Sequence, residues 1–113
     1  KAEIARPEVQ EVIKAGSVYK VSGAAWTGDS EVTKVEVSAD EGKSWEPARL
    51  IGSSTRYAWR FWEYDWKVPT QAGRYVLMAR ATDARGNMQP MERQPDRENY
   101  MINHVLPIEV NVR

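Results

Sequence analysis

Short runs rich in valine, tyrosine, tryptophan and threonine recur along this chain, and glycine, proline, aspartate or asparagine closes each run about every ten residues. This rhythm is typical of the strands of an all-β antiparallel sandwich. No window of useful length carries apolar residues at helical spacing, so we predict little helix beyond a possible turn in residues 90–103. A chain of 113 residues has room for one domain, residues 1–113, with one core.

The alternation of side chains predicts the individual strands. They are expected at residues 18–25, 32–38, 43–50, 57–68, 74–83 and 106–112. Residues 32–38 and 43–50 flank a short turn with a glycine, which predicts a hairpin. In residues 57–68 the aromatic side chains fall on both parities. This pattern predicts either a bulge or a strand covered on both faces, and in either case a central strand.

The hairpin turn lies in a longer motif, because residues 38–45 match the Ser-x-Asp-x-Gly-x-Ser/Thr-Trp pattern of the Asp-box. We expect Asp40 to bond backbone amides inside the turn, Gly42 to supply a positive φ and Trp45 to fold back over the strand pair. Turn chemistry accounts for every residue of the motif, and a single copy cannot build a propeller. We therefore interpret it as a structural hairpin.

Residues that could carry catalysis or bind a metal are few. The sequence has no cysteine, and its single histidine, His104, precedes the last strand without a neighbouring base, nucleophile or ligand pattern. No glycine-rich phosphate loop follows a strand. The turn with Asp83, Gly86 and Asn87 offers scattered oxygens without the ligand density of a calcium loop, and we interpret it as structural. We predict neither a catalytic residue nor a metal site.

Charge and apolar content limit the partners that the chain can have. Its 16 basic and 16 acidic residues cancel, so no net field draws it to nucleic acid or to an anionic membrane. Its apolar stretches fall far short of the roughly 20 residues that span a bilayer. The start at Lys1 has no signal-peptide pattern, so we expect a mature or excised fragment. We predict no nucleic-acid partner and no membrane insertion.

Five tryptophans exceed what the core of a sandwich of this size needs, which suggests a binding surface. If the surplus serves a protein interface, Trp59, Trp62 and Trp66 are its candidates. The alternative is a carbohydrate-binding module, which would hold two or three of these same rings coplanar and exposed. A stand-alone enzyme is the least supported class, because the candidate acids mostly sit in turns and no pairing can be inferred.

Four groups of residues, in order along the chain, carry a resemblance to one family. They are residues 23–28 (Gly-Ala-Ala-Trp-Thr-Gly), residues 35–45, the three tryptophans between 59 and 66, and residues 80–90 (Arg-Ala-Thr-Asp-Ala-Arg-Gly-Asn-Met-Gln-Pro). Together they resemble the carboxy-terminal dimerisation domain of sulfite oxidase and plant nitrate reductase, nearly end to end. The resemblance implies an immunoglobulin-like (E-set type) β-sandwich that joins two copies of a molybdenum enzyme.

The same resemblance implies that the molybdenum-pterin cofactor and its cysteine ligand lie in a missing preceding domain, with no cofactor in this one. The implied enzyme oxidises sulfite to sulfate, passes electrons to a haem protein or another acceptor and, in bacterial relatives, is often periplasmic. The implied partners are a second copy of the chain and the cofactor domain. Besides the three tryptophans, Gln89 and Pro90 are expected at one of these contacts.

Two arginines are singled out by the resemblance. Vertebrate sulfite oxidases supply an arginine from this domain to the anion pocket, but the equivalent place here holds Glu98, with Arg97 one residue away. A guanidinium suits a bidentate grip on sulfite and a carboxylate repels it, so either Arg97 takes this role or the domain contributes nothing to the substrate. For Arg80, we expect either a buried tie to the turn at residues 83–90 or a contact with the missing domain.

Overall fold

The computed structural model describes residues 2–26, 32–52, 59–83 and 107–113, and within these ranges it has nine β-strands and no helix. The strands are β1 (Ala2–Arg6), β2 (Val12–Ile13), β3 (Val18–Ala25), β4 (Val32–Ser38), β5 (Glu46–Pro47), β6 (Arg49–Ile51), β7 (Arg60–Lys67), β8 (Gly73–Asp83) and β9 (Ile108–Val112). They form a four-stranded sheet, β1-β3-β7-β6, and a five-stranded sheet, β2-β9-β8-β4-β5. The predicted all-β sandwich is confirmed. No helix among the described residues could cross a membrane.

Strand pairing is antiparallel throughout the described ranges, with one exception. Strand β2 pairs in parallel with β9, where Val12 lies opposite Asn111. Parallel neighbours need a long connection, and nearly the whole chain separates these two strands. Strands β1 and β2 are both short, and the side-chain pattern predicts neither of them.

The strand predicted at residues 43–50 is wrong as a single element. Its first part, β5, pairs with β4 to complete the predicted hairpin, whereas its last part belongs to β6, which pairs with β7 in the other sheet. Pro47 has no N–H group to continue the ladder beside β4. The next amide, that of Ala48, donates to the Val35 carbonyl at 2.8 Å before the chain changes sheets.

Strand β7 lies between β3 and β6, so its predicted central position is confirmed. Neither of the two predicted explanations for its aromatic pattern holds. The register with β3 runs from Val18 opposite Lys67 to Ala25 opposite Arg60 without a bulge. One face of the strand is in the core, while Phe61 on the other face is 63% exposed.

The core fills the space between the two sheets. Strand β8 contributes Leu77, Ala79 and Ala81, which lie inward as the alternation predicted. The four-stranded sheet contributes the other large members, Trp62 and Trp66. The remaining buried hydrophobic residues of this cluster are Ala2, Ile13, Val21, Ala25, Val32, Val35, Val37, Val68, Val110 and Val112.

Gly23 is the point at which β1, β3 and the core meet. A Cβ atom at this position would lie 1.8 Å from the carbonyl oxygen of Glu3 and 2.7 Å from Cζ2 of Trp62. The first of these atoms is backbone in the neighbouring strand, so it cannot move aside without breaking the β1 pairing. Glycine inside a strand often marks a close approach of this kind.

Gly23→Ala is expected to lower the free energy of unfolding by about 3 kcal/mol, the upper end of the cost of overpacking. Without a clash, the same change would stabilise the fold by up to about 1 kcal/mol through the unfolded chain. Chemical denaturation measures the difference. Ser22→Ala, one residue earlier on the opposite face, should change stability by less than about 0.5 kcal/mol. A Gly23→Ala protein as stable as the wild type would contradict the close approach.

Candidate functional site

The three tryptophans predicted at an interface do not share one surface. Trp62 is 0% exposed and Trp66 is 3% exposed, and both belong to the core. The interface prediction is therefore wrong for these two, because both side chains point from β7 into the core and leave almost no exposed area for a partner. Trp59 has the opposite parity and is exposed.

An apolar cluster lies on the outer face of the four-stranded sheet, at the end where Trp59 lies. Trp26 and Trp59 stack with ring centroids 6.2 Å apart and planes 27° apart. One step along the sheet, Phe61 pairs with Ala24 on one side and Ile51 on the other. Ile51 and Phe61 are both exposed. We call Ala24, Trp26, Ile51, Trp59 and Phe61 the aromatic patch.

Charged side chains lie next to the aromatic patch on the same face of the sheet. Arg49 reaches Asp65 at 3.0 Å and Glu63 at 3.3 Å, and Lys20 reaches Glu63 at 3.5 Å. Hydrogen bonding to Arg49 lowers the pKa of Asp65, and the same contacts raise the pKa of Arg49. We call these four residues the charged ladder. Its two cations and two anions satisfy one another within the chain.

The aromatic side chains do not form the platform expected of a carbohydrate-binding module. That hypothesis required two or three of Trp59, Trp62 and Trp66 to be coplanar and exposed. Two of them are buried in the core, so this arrangement is absent. The outward residues Trp26, Ile51 and Phe61 were not predicted. The signal was present in the sequence, because Phe61 and Trp59 share the parity opposite to Trp62.

The outer face of the five-stranded sheet is built around Arg80. Its Nε donates to Oε1 of Glu36 at 3.0 Å, and its guanidinium carbon lies 4.1 Å from the ring centroid of Trp45. Lys34 Nζ approaches Oε2 of the same glutamate at 3.5 Å. Arg80 thus ties β8 to β4 and to the hairpin. The turn at residues 84–90 lies outside the described residues, so a tie to that turn and a contact with the missing domain both stay predictions.

Arg80→Ala is expected to lower the free energy of unfolding by about 2 kcal/mol, because it leaves the largely buried carboxylate of Glu36 with Lys34 alone. Arg80→Lys should recover only part of this loss, since an ammonium group lacks the planar fork that stacks on Trp45. Thermal or chemical unfolding measures both changes.

Arg74→Ala on the same strand is the matched control for Arg80→Ala. Its ion pair with Glu109 is 3.4 Å long, and the Arg74 side chain is 71% exposed, so removal should cost less than about 0.5 kcal/mol. Equal losses at Arg74 and Arg80 would show that the contacts of Arg80 contribute no more than an ordinary surface pair.

The Asp-box hairpin has the internal bonding that the motif predicted. Asp40 Oδ1 accepts from the Ser44 amide at 2.9 Å and from the Ser38 hydroxyl at 2.7 Å, and Oδ2 accepts from the Ser44 hydroxyl at 2.6 Å. Trp45 Nε1 donates to the Gly42 carbonyl at 3.1 Å. Gly42 has a positive φ of 86°, and so does Glu41, at 60°. These contacts support a structural role for Asp40, Gly42 and Trp45.

The hairpin should weaken in acid. Hydrogen bonds from Ser44 and Ser38 lower the pKa of Asp40 from 3.8 to about 2. A depressed carboxyl pKa adds stability above the unfolded value, and this stability is lost as the pH falls through the folded value. The stability difference between the wild type and Asp40→Asn should therefore shrink between pH 4 and pH 2. Denaturation curves across this window measure it, and a constant difference would contradict the assignment.

Several residues predicted from the sequence lie outside the described residues. They are Gly86, Asn87, Gln89, Pro90, Arg97, Glu98 and His104. Asp83 ends β8, and only its backbone is described. The predicted roles of these residues stay predictions.

The chain does not supply a molybdenum-pterin site of its own. Its sequence has no cysteine to act as the thiolate ligand. Among the described residues, no group of three or more histidine, cysteine, aspartate or glutamate side chains could hold a metal ion. The residues of the described ranges therefore do not fit the cofactor.

A two-sheet β-sandwich with exposed aromatic side chains on one sheet face has the character of an interaction module. The sequence model of the Mo-co oxidoreductase dimerisation domain matches residues 1–112, and the chain belongs to this family. In its homologues the cofactor belongs to the catalytic domain.

Individual relatives agree with this assignment. Sulfite oxidase of Gallus gallus is 40% identical over 76 residues, which cover 62% of this chain and 16% of that protein. The NADPH nitrate reductase of Aspergillus niger is 30% identical over 107 residues, covering 75% of this chain and 12% of that protein. The chain thus spans less than a fifth of the length of these relatives.

Solved structures support the fold. The sulfane dehydrogenase SoxCD of Paracoccus pantotrophus matches with a TM-score of 0.83 and 28% identity, over 96% of this chain and 29% of that one. A fibronectin(III)-like module of Clostridium thermocellum CbhA matches with a TM-score of 0.60 and 17% identity, over 99% of this chain and 93% of that one. The second likeness shows the fold alone, and the predicted immunoglobulin-like sandwich is confirmed.

Proposed function

We propose that this domain joins two copies of a molybdenum-cofactor oxidoreductase that oxidises sulfite to sulfate. The observation that carries the proposal is the family match over residues 1–112. The exposed aromatic patch supports it, because aromatic side chains are enriched where protein surfaces meet. In this proposal the domain holds the subunits together and a separate domain carries out the oxidation.

Sulfite is the favoured substrate class because of the relatives. The sulfite oxidases are 32–40% identical to this chain, whereas the fungal nitrate reductases are 28–30% identical. The matched structure is also named for the oxidation of a sulfur compound. Oxidation of a sulfur compound is therefore a better supported proposal than reduction of nitrate, and the sulfite oxidases among the relatives favour sulfite.

The remaining partners and the compartment follow from the same relationship. We propose that the molybdenum-pterin domain precedes this one in the natural protein, that a haem protein accepts the electrons and that the enzyme works in the periplasm. Arg97 is the candidate to reach the substrate anion, since a guanidinium can grip an oxyanion through two parallel hydrogen bonds.

The natural gene product tests the proposed function. It should be recovered from periplasmic and cytoplasmic fractions of the source cells with an antibody against this chain. We expect a much longer protein, enriched in the periplasmic fraction, that holds about one molybdenum per subunit, the stoichiometry of one cofactor per catalytic domain. Added sulfite should reduce cytochrome c or ferricyanide in its presence.

Parallel assays separate the alternatives. Nitrate consumption with a reduced viologen dye, in the absence of sulfite turnover, would assign the protein to nitrate reduction. A product of about this chain's length without molybdenum would refute the proposal.

Arg97→Gln is expected to raise the KM for sulfite. Its control is Arg93→Gln, which removes an arginine four residues earlier in the sequence. Equal effects of the two variants would remove Arg97 from the substrate site.

A further inference from the structure

We infer that the second copy of the chain docks on the outer face of the four-stranded sheet, with the two aromatic patches meeting across a twofold axis. This inference rests on the proposed function, since it specifies where the proposed self-association occurs. A twofold interface uses the same surface on both copies, so the surface must be complementary to itself.

The distribution of exposed apolar side chains favours this face. Six large hydrophobic residues are exposed in the part of the chain that the structure describes. Val18, Ile51, Trp59 and Phe61 belong to the four-stranded sheet or its immediate flank, while the other two lie at or near β2. The centre of the five-stranded sheet instead presents Arg80 and its partners. Aromatic side chains at the centre of an interface with a polar rim are typical of protein association.

The charges around the patch fit a second copy better than a strongly charged partner. Lys20 and Arg49 are balanced by Glu63 and Asp65, with every pair formed inside one chain. A charged ladder without net charge does not attract a strongly charged partner of either sign. Two identical copies also face no net repulsion, and no unpaired charge from this ladder has to be buried between them.

The size of the face sets how strong the contact can be. The four strands have 5, 8, 8 and 3 residues, so at ordinary strand spacing the sheet face measures about 380 Å². A standard interface buries about 800 Å² on each partner. The sheet face supplies about half of this area, which fits a contact of modest affinity, so single changes at its centre should be enough to shift the monomer–dimer equilibrium.

Sedimentation of the natural gene product tests the docking face. Phe61→Glu is expected to raise the dimer dissociation constant by at least about 30-fold, the loss typical of an interface hot spot. Trp59→Ala, which adds no charge, should act in the same direction. Val12→Glu is the matched control, because Val12 is 57% exposed on β2 of the other sheet, and it should leave the constant within about twofold of the wild type.

Circular dichroism and thermal unfolding confirm that each variant is folded before the constants are compared. If the wild type is a dimer and both patch variants keep its dissociation constant, the second copy docks elsewhere. In that case the inference fails and the proposed function stands. If the wild type is a monomer at every concentration, the proposed assembly role itself fails. If Phe61→Glu keeps the dimer but exposes the chain to protease cleavage ahead of this domain, the occupant is the preceding domain and the inference is wrong.

Discussion

The contact of Gly23 with the Glu3 carbonyl and the Trp62 ring is the constraint on which the sandwich depends. It lets β1 approach β3 closely enough to pair, and it leaves room beneath the sheet for the largest fully buried side chain. Among the described residues, no group forms a hydrogen bond with the indole Nε1 of Trp62. A buried polar group without a partner costs about 1–3 kcal/mol, so the packing of the rest of the ring must offset this loss. Because successive side chains of a strand point to opposite faces, the inward position of Trp62 places its neighbour Phe61 on the outer face.

The sequence predicted the structure correctly in strands that bury one face and in turns that carry characteristic turn residues. The inward rows of β4 and β8, the Asp-box turn and the central place of β7 could all be predicted, because alternation and turn residues act locally. The short strands β1, β2 and β5 could not, because two to five residues give too little periodicity. The pairing of β1 depends on the close approach at Gly23, and the end of β5 depends on Pro47, each through a contact with another strand.

The candidate surface was harder to predict than the fold. Tryptophan count alone cannot separate a core ring from an exposed one, so Trp62 and Trp66 were placed at an interface that they do not reach. Parity along β7 separates them from Trp59 and Phe61, but only once the register with β3 is known. The partners of Arg80 were similarly out of reach, since Glu36 and Trp45 come together through strand pairing between distant parts of the chain.

The edges of the two sheets bear on how such a chain can associate. The edge strands β2, β5 and β6 have three residues or fewer, and β1 has five with an irregular register between Ile4 and Arg6. Pro47 removes an amide donor from β5. Short, interrupted edges give an added strand little backbone to pair with. In the part of the chain that the structure describes, a sheet face and not a sheet edge is therefore the surface open to association, and the long straight borders along which fibrils extend are missing there.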